Sequence, residues 1–271
     1  MQRRQFLLTG AVATSTAALA GVGSSLVTRA RTQDADAAAL ASSVSQQAVR
    51  GDLRVWWSAP VATPRLALTF DDGPTEQFTA RTLDLLRSSG IRATFFVIGE
   101  LVNRHPDLVR RARDEGHELA NHSFDHVSAV RLTADAVRDS MARGADAVET
   151  VTGRRPRWYR PPRGEVTSAT LLAARAVDQD LALWSVVRNG EDGGGPDDDT
   201  EGVRRHLRGA VHPGAVVDLH DGIGRSAWVG LPSGSLITRR DTELDALPEV
   251  LTAWKDAGYA FETLSELIPA G

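Results

Sequence analysis

Leu66-Ala67-Leu68-Thr69-Phe70-Asp71-Asp72-Gly73-Pro74 runs an apolar segment of strand length straight into two adjacent carboxylates and a turn. Residues 66–70 read as the short continuous run of a buried parallel strand, and Gly73-Pro74 is loop punctuation. The two aspartates therefore sit at the strand's C-terminal end, where ligands and chemistry collect in parallel α/β architectures. Adjacent carboxylates repel unless a cation lies between them or one takes a proton, so the pair asks for a metal or for acid/base work. Asp in a loop ahead of a helix also serves as an N-cap, and from this pair alone both readings stand.

Working outward, Phe78, Leu85 and Leu86 mark one face of a helix stopped by Gly90, and residues 93–98 form the next strand. Leu108, Val109 and Ala112 give a second helix closed by Gly116, followed by a short strand at 118–120. Val137, Met141, Gly144, Val148 and Val151 keep helical spacing up to Gly153. Then come a strand at 158–159, a helix at 171–177, a strand at 181–187, a helix at 200–209, a strand at 215–219, a helix at 241–257 and a strand at 259–263. Strand and helix alternate about seven times, which predicts an α/β fold with a parallel sheet closed into a barrel, in a single domain. The longest irregular stretches, 189–199 and 223–240, both follow strand ends and should border the active face.

The 271 residues carry a formal charge of −4 and no cysteine. Residues 1–30 hold Arg3, Arg4 and Arg29 and no acid, so the rest of the chain is more acidic still. A nucleic-acid partner is therefore not expected, since phosphate neutralisation wants a basic face. Thiolate chemistry, disulfides and N-terminal lipidation through cysteine are excluded, and any metal must be held by His and carboxylate. Gln2-Arg3-Arg4-Gln5-Phe6-Leu7-Leu8, followed by a weakly apolar stretch, reads as a twin-arginine-like signal peptide over 1–30, implying export and no stable membrane span. Residues 31–60 read as a linker.

Three further motifs sit at strand ends. In His122-Ser123-Phe124-Asp125-His126, two histidines four apart share one side of a helical turn and can hold one cation. In Tyr159-Arg160-Pro161-Pro162-Arg163-Gly164 the prolines cannot donate hydrogen bonds and Gly164 permits close backbone approach, so the next free amides can be aimed at one point. Val216-Val217-Asp218-Leu219-His220 is an apolar strand ending in a histidine. Each has a bland alternative (surface histidines, a rigid turn with solvated arginines, a structural core histidine), and only their shared position at one rim favours a site.

TFDDGP, HSFDH, RPPRG and DLH, in this order and spacing, resemble the polysaccharide deacetylase domain (NodB homology, carbohydrate esterase family 4) over residues 61–268. The resemblance implies a distorted (β/α) barrel of the NodB type. It also implies metal-dependent hydrolysis of an N-acetyl, or sometimes O-acetyl, group on an amino-sugar polymer such as peptidoglycan or a chitin-like glycan. By position, Asp72, His122 and His126 would hold one divalent metal, Asp71 would be the general base oriented by Arg160, and His220 the general acid. The Arg163 amide would bind the oxyanion, with Pro161, Trp184, Asp218 and Leu219 around the substrate. An Asp-His-His set suits Zn²⁺, with Co²⁺, Ni²⁺ or Mn²⁺ as alternatives. The protein is expected to be an exported, cell-wall-associated monomer.

Three departures from the family pattern put substrate preference in question. Arg163 stands where an aromatic residue is usual, and Asp218 replaces a leucine expected to line an acetyl pocket. Val187 occupies the place where an aspartate often tunes the catalytic histidine, for which Glu191 or Asp192 could substitute. A non-catalytic carbohydrate-binding protein on the same fold, and a hydrolase of small amides, are the competing readings.

Overall fold

The computed structural model describes residues 53–188, 199–230 and 233–270. The expected signal peptide, most of the expected linker, and Glu191 and Asp192 lie outside the described residues. The strand that carries the aspartate pair, β2 (Arg65–Asp71), is buried from Leu66 to its end and lies in a nine-stranded sheet. The others are β1 (Val55–Trp56), β3 (Thr94–Val97), β4 (Glu118–Asn121), β5 (Trp158–Tyr159), β6 (Asp180–Ala182), β7 (Val186–Val187), β8 (Ala215–His220) and β9 (Ala260–Glu262). Their order is β1-β6-β5-β4-β3-β2-β8-β7, all pairs parallel, with β9 beside the N-terminal half of β2.

Helices cross between these strands: α1 (Thr79–Ser89), α2 (Gly99–Arg104), α3 (Pro106–Asp114), α4 (Ala134–Thr152), α5 (Ser168–Ala176), α6 (Thr200–Ala210), α7 (Gly234–Asp256) and α8 (Leu264–Leu267). Alternate residues of β2 and β8 divide the core. Leu66, Leu68, Phe70, Val217 and Leu219 pack with helix residues such as Leu83, Leu247 and Trp254. Ala67 and Val216 turn inward to a second cluster with Phe96, Ala120, Trp158, Ala182 and Leu264. Above that inner apolar layer the same inward positions become polar: Thr69, Asp71, His122, Arg160, Asp218 and His220.

The fold is the expected distorted barrel, but its elements differ from expectation in three places. The run at 181–187 is two strands, because the chain steps from the β1 side of the sheet to the β8 side. Leu183 N–H donates to Trp56 O (2.7 Å) and Ser185 N–H to Val216 O (3.0 Å), so residues 183–185 cross the seam that strand pairing leaves open. The stretch read as linker contains β1, whose brevity hides any periodicity, and Ser58 bridges to Ala215. Finally, α7 starts at Gly234 rather than 241, so part of the expected irregular stretch at 223–240 is helix, preceded by a 3-10 turn at Gly224–Ala227.

Candidate active site and metal centre

Four strand ends deliver the predicted groups to one cavity of about 400 Å³, lined among others by Asp71, Asp72, His122, His126, Arg163, Trp184, Asp218 and His220. Register explains the convergence: Asp71 lies directly beside His220 across the β2–β8 pair. Leu219 points the other way into the helix-covered core, as strand alternation requires, and Pro161 is buried without lining the cavity. These two expected substrate contacts are not brought to it. A larger cavity of about 580 Å³, lined by Arg92, His117 and Arg157 among others, holds no comparable set; Arg92 pairs with Glu266 and Arg157 with Asp180.

The two histidines do not sit on a helical turn. β4 ends at Asn121, and the chain bends through Ser123 (φ 67°) and His126 (φ 53°), left-handed conformations that cost non-glycine residues energy. Hydrogen bonds hold the bend: His126 N–H donates to Ser123 Oγ (3.0 Å), and Glu100 N–H to Phe124 O (2.8 Å). Asp72 is left-handed too (φ 75°), and Gly222 lets β8's exit loop press against its carbonyl, where a Cβ would collide.

The result is the cluster Asp72, His122 and His126, whose ligand atoms all lie within 4.8 Å of one another. His126 Nε2 is 2.9 Å from Asp72 Oδ1, which is buried and has no hydrogen-bond donor among the described residues. His122 Nδ1 lies 2.8 Å from Arg160 O; a carbonyl only accepts, so the proton is on Nδ1 and Nε2 keeps its lone pair. Burial, reinforced by His126, drives the His122 imidazolium down to about 3, so the ring is neutral as a ligand must be. Burial alone would lift Asp72, but His126, His220 and Arg240 hold its carboxyl well below the usual range. Neutral imidazole, an ionised carboxylate and an orphaned oxygen together fit a divalent cation.

Arg160 is wholly buried beneath this cluster. Its Nη1 lies within hydrogen-bond distance of Thr69 Oγ1 (2.9 Å), Asp71 Oδ1 (2.7 Å) and Asp218 Oδ1 (3.0 Å). Its Nε and Nη2 donate to the carbonyls of Ala182 (3.1 Å) and Leu183 (2.9 Å) at the barrel seam, and the guanidinium lies 4.0 Å from the Phe96 ring centroid. Two carboxylates thus share one cation. Burial raises both despite Arg160, and Asp218 reaches about 7.

Arg163 is exposed at the mouth with φ 60°, just after two prolines that lack N–H groups. Gly164, also left-handed, lets the turn close on Trp184, where a Cβ would stand 2.8 Å from the indole.

Asp221, fully buried behind Gly73, accepts a hydrogen bond from Thr79 Oγ1 (2.5 Å). Burial, opposed by that bond and helped by Asp72 and Asp71, lifts its carboxyl from 3.8 to about 7. A pKa raised on folding gives stability that is complete below the unfolded value and lost as pH rises toward the folded one. Asp221→Asn, which keeps an acceptor for Thr79, is therefore expected to melt like the wild type below pH 4 and higher than it above pH 7. Calorimetry of the metal-free proteins checks this; a melting difference constant across that range would remove the charge from the account.

Reading the four motifs overlooks two residues of α7: Arg240 and Glu243 are almost fully buried and line the same cavity. They lie on the stripe that continues as Leu244, Leu247, Leu251 and Trp254, and charges on the apolar face of a helix were the available signal.

A family profile described as polysaccharide deacetylase matches residues 58–182. A peptidoglycan-N-acetylglucosamine deacetylase of Bacillus cereus is 33% identical over 214 residues, covering 79% of this chain and 92% of that protein. Peptidoglycan-N-acetylmuramic acid deacetylase PdaA of Bacillus subtilis is 31% identical, covering 74% and 70%. Among solved structures, the Bc1960 peptidoglycan N-acetylglucosamine deacetylase superposes with a TM-score of 0.69 at 27% identity, covering 80% of this chain and 94% of that one.

Proposed function

The chain belongs to the polysaccharide deacetylase family, and from that premise we propose that it is an exported, metal-dependent hydrolase that removes N-acetyl groups from the glycan strands of peptidoglycan. The observation that carries this reading is the placement of Asp71 and His220 side by side on adjacent strands, at the rim of a cavity that also holds the Asp72, His122 and His126 cluster.

Asp72, His122 and His126 would hold the cation, with Zn²⁺ favoured by the nitrogen and oxygen donors. When bound, it supplies a Lewis acid that polarises the amide carbonyl and acidifies water. Asp71 takes the proton of the attacking water, and Arg160 fixes the carboxylate's aim through its 2.7 Å bond to Oδ1. The first amide after the proline pair, that of Arg163, faces the oxyanion. His220, raised by Asp218 and Glu243 over the opposing effects of burial and Arg240, enters protonated and gives its proton to the leaving amine. Acetate and a free amino sugar are the products.

Export is supported by the arginine pair at Arg3-Arg4 and by relatives that act on the wall polymer. No described helix is long and apolar enough to cross a membrane. The test is acetate release from peptidoglycan and from acetylated chito-oligosaccharides, with zinc-loaded and chelated protein. Release from peptidoglycan in preference, abolished by chelation and restored by zinc, is the expected result. No release from either, with one metal bound per chain, would replace this function with glycan binding.

A further inference from the structure

The four motifs leave the acid histidine without a partner, and α7 provides one. Glu243 Oε2 accepts the backbone N–H of His220 (3.1 Å) and lies 3.6 Å from its Nδ1, a buried atom with no hydrogen-bond partner among the described residues. Its other oxygen is 3.3 Å from Arg240 Nη1 and 3.7 Å from Arg188 Nη1. Arg240, one helical turn earlier, donates from Nε to Gly222 O (2.6 Å) and from Nη2 to Asp72 Oδ2 (3.3 Å). A continuous polar chain therefore runs from Asp72 through Arg240 and Glu243 to His220, leaving Asp72 Oδ1 facing the histidine cluster.

A buried ion pair is seldom retained for stability alone, because apolar residues of similar volume often serve as well. Its position asks for another reason. We propose, building on the deacetylase reading, that Glu243 is the positioning residue of His220. It holds Nδ1–H so that Nε2 faces the leaving group, and Arg240 braces it against the carboxylate of Asp72. This assigns to the last long helix the task for which the sequence offered only Glu191 or Asp192.

The groups facing His220 are Asp218 on its own strand, Asp71 at the end of β2 with Asp72 just beyond it, and Arg240 and Glu243 on α7. Arg240 keeps Glu243 ionised against the cost of burial, with His220 and Arg188 assisting. Asp218 and Glu243 both favour the imidazolium, so removing the Glu243 charge should weaken it without abolishing it.

Glu243→Gln, which preserves shape and the acceptor for the His220 amide, is the test variant. In the zinc-loaded protein, the His220 imidazole is followed by NMR titration, its signals assigned by their loss in His220→Gln. The midpoint is expected to fall by about one pH unit, a tenfold change in acidity. In parallel, the alkaline limb of kcat/KM for acetate release should move down by the same amount, with kcat reduced about tenfold, KM little changed, and partial recovery in Glu243→Asp. An unmoved NMR midpoint overturns the proposal whatever the activity. If the wild type releases no acetate, the deacetylase reading fails and the NMR shift alone decides whether Glu243 and His220 are paired.

Discussion

Asp71→Asn is expected to lower kcat for acetate release by about 10²- to 10⁴-fold while leaving metal content and melting temperature close to the wild type. The amide keeps an oxygen for Arg160 Nη1, which stands 2.7 Å from Oδ1, so the side chain stays in place. It loses the ability to take a proton from water, and that loss appears in kcat rather than KM, because the proton moves only in the reaction. Burial raises the Asp71 carboxyl, with Asp72 adding to it and Arg160 and His220 opposing, which makes it a stronger base than a surface aspartate. Steady-state kinetics with a metal assay on the same preparation checks the result. A loss of less than tenfold would move the base to Asp218, which shares Arg160 and lines the same cavity.

The convergence of Asp71, Asp72 and His220 on one rim was legible because each lies where an apolar run ends in punctuation. Leu66 to Phe70 before Asp71, and Val216-Val217 before His220, announce strand ends, and parallel strand ends meet at one rim. The path by which His122 and His126 meet was not legible. Their spacing suits a helix, whereas the chain uses left-handed Ser123 and His126 without a glycine to mark the bend. The seam has no local signature: residues 181–187 read as one continuous strand, and only the tertiary arrangement divides them between two neighbours. Arg240 and Glu243 stayed hidden for a different reason. Their role depends on which turn of α7 lies over the end of β8, a tertiary fact that no local pattern encodes.

Arg160→Met is expected to destabilise the protein by about 3–5 kcal/mol and to abolish detectable turnover. The methionine fills much of the volume but leaves Asp71 and Asp218 facing each other without the cation they share. It also strands the carbonyls of Ala182 and Leu183, which receive Arg160 Nε and Nη2 where the chain crosses the seam. Both losses fall in a fully buried site, where an unpaired charge or carbonyl cannot recover its hydration. Arg160→Lys keeps the charge but not the planar fork, so it should retain part of the Asp71 contact and lose the seam bonds. Urea unfolding separates the two roles: the lysine variant should fall between the wild type and the methionine variant if charge and seam both matter. Equal loss in both variants would assign the stability to the seam alone. A methionine variant within about 1 kcal/mol of the wild type would show that Arg160 serves the base and not the fold.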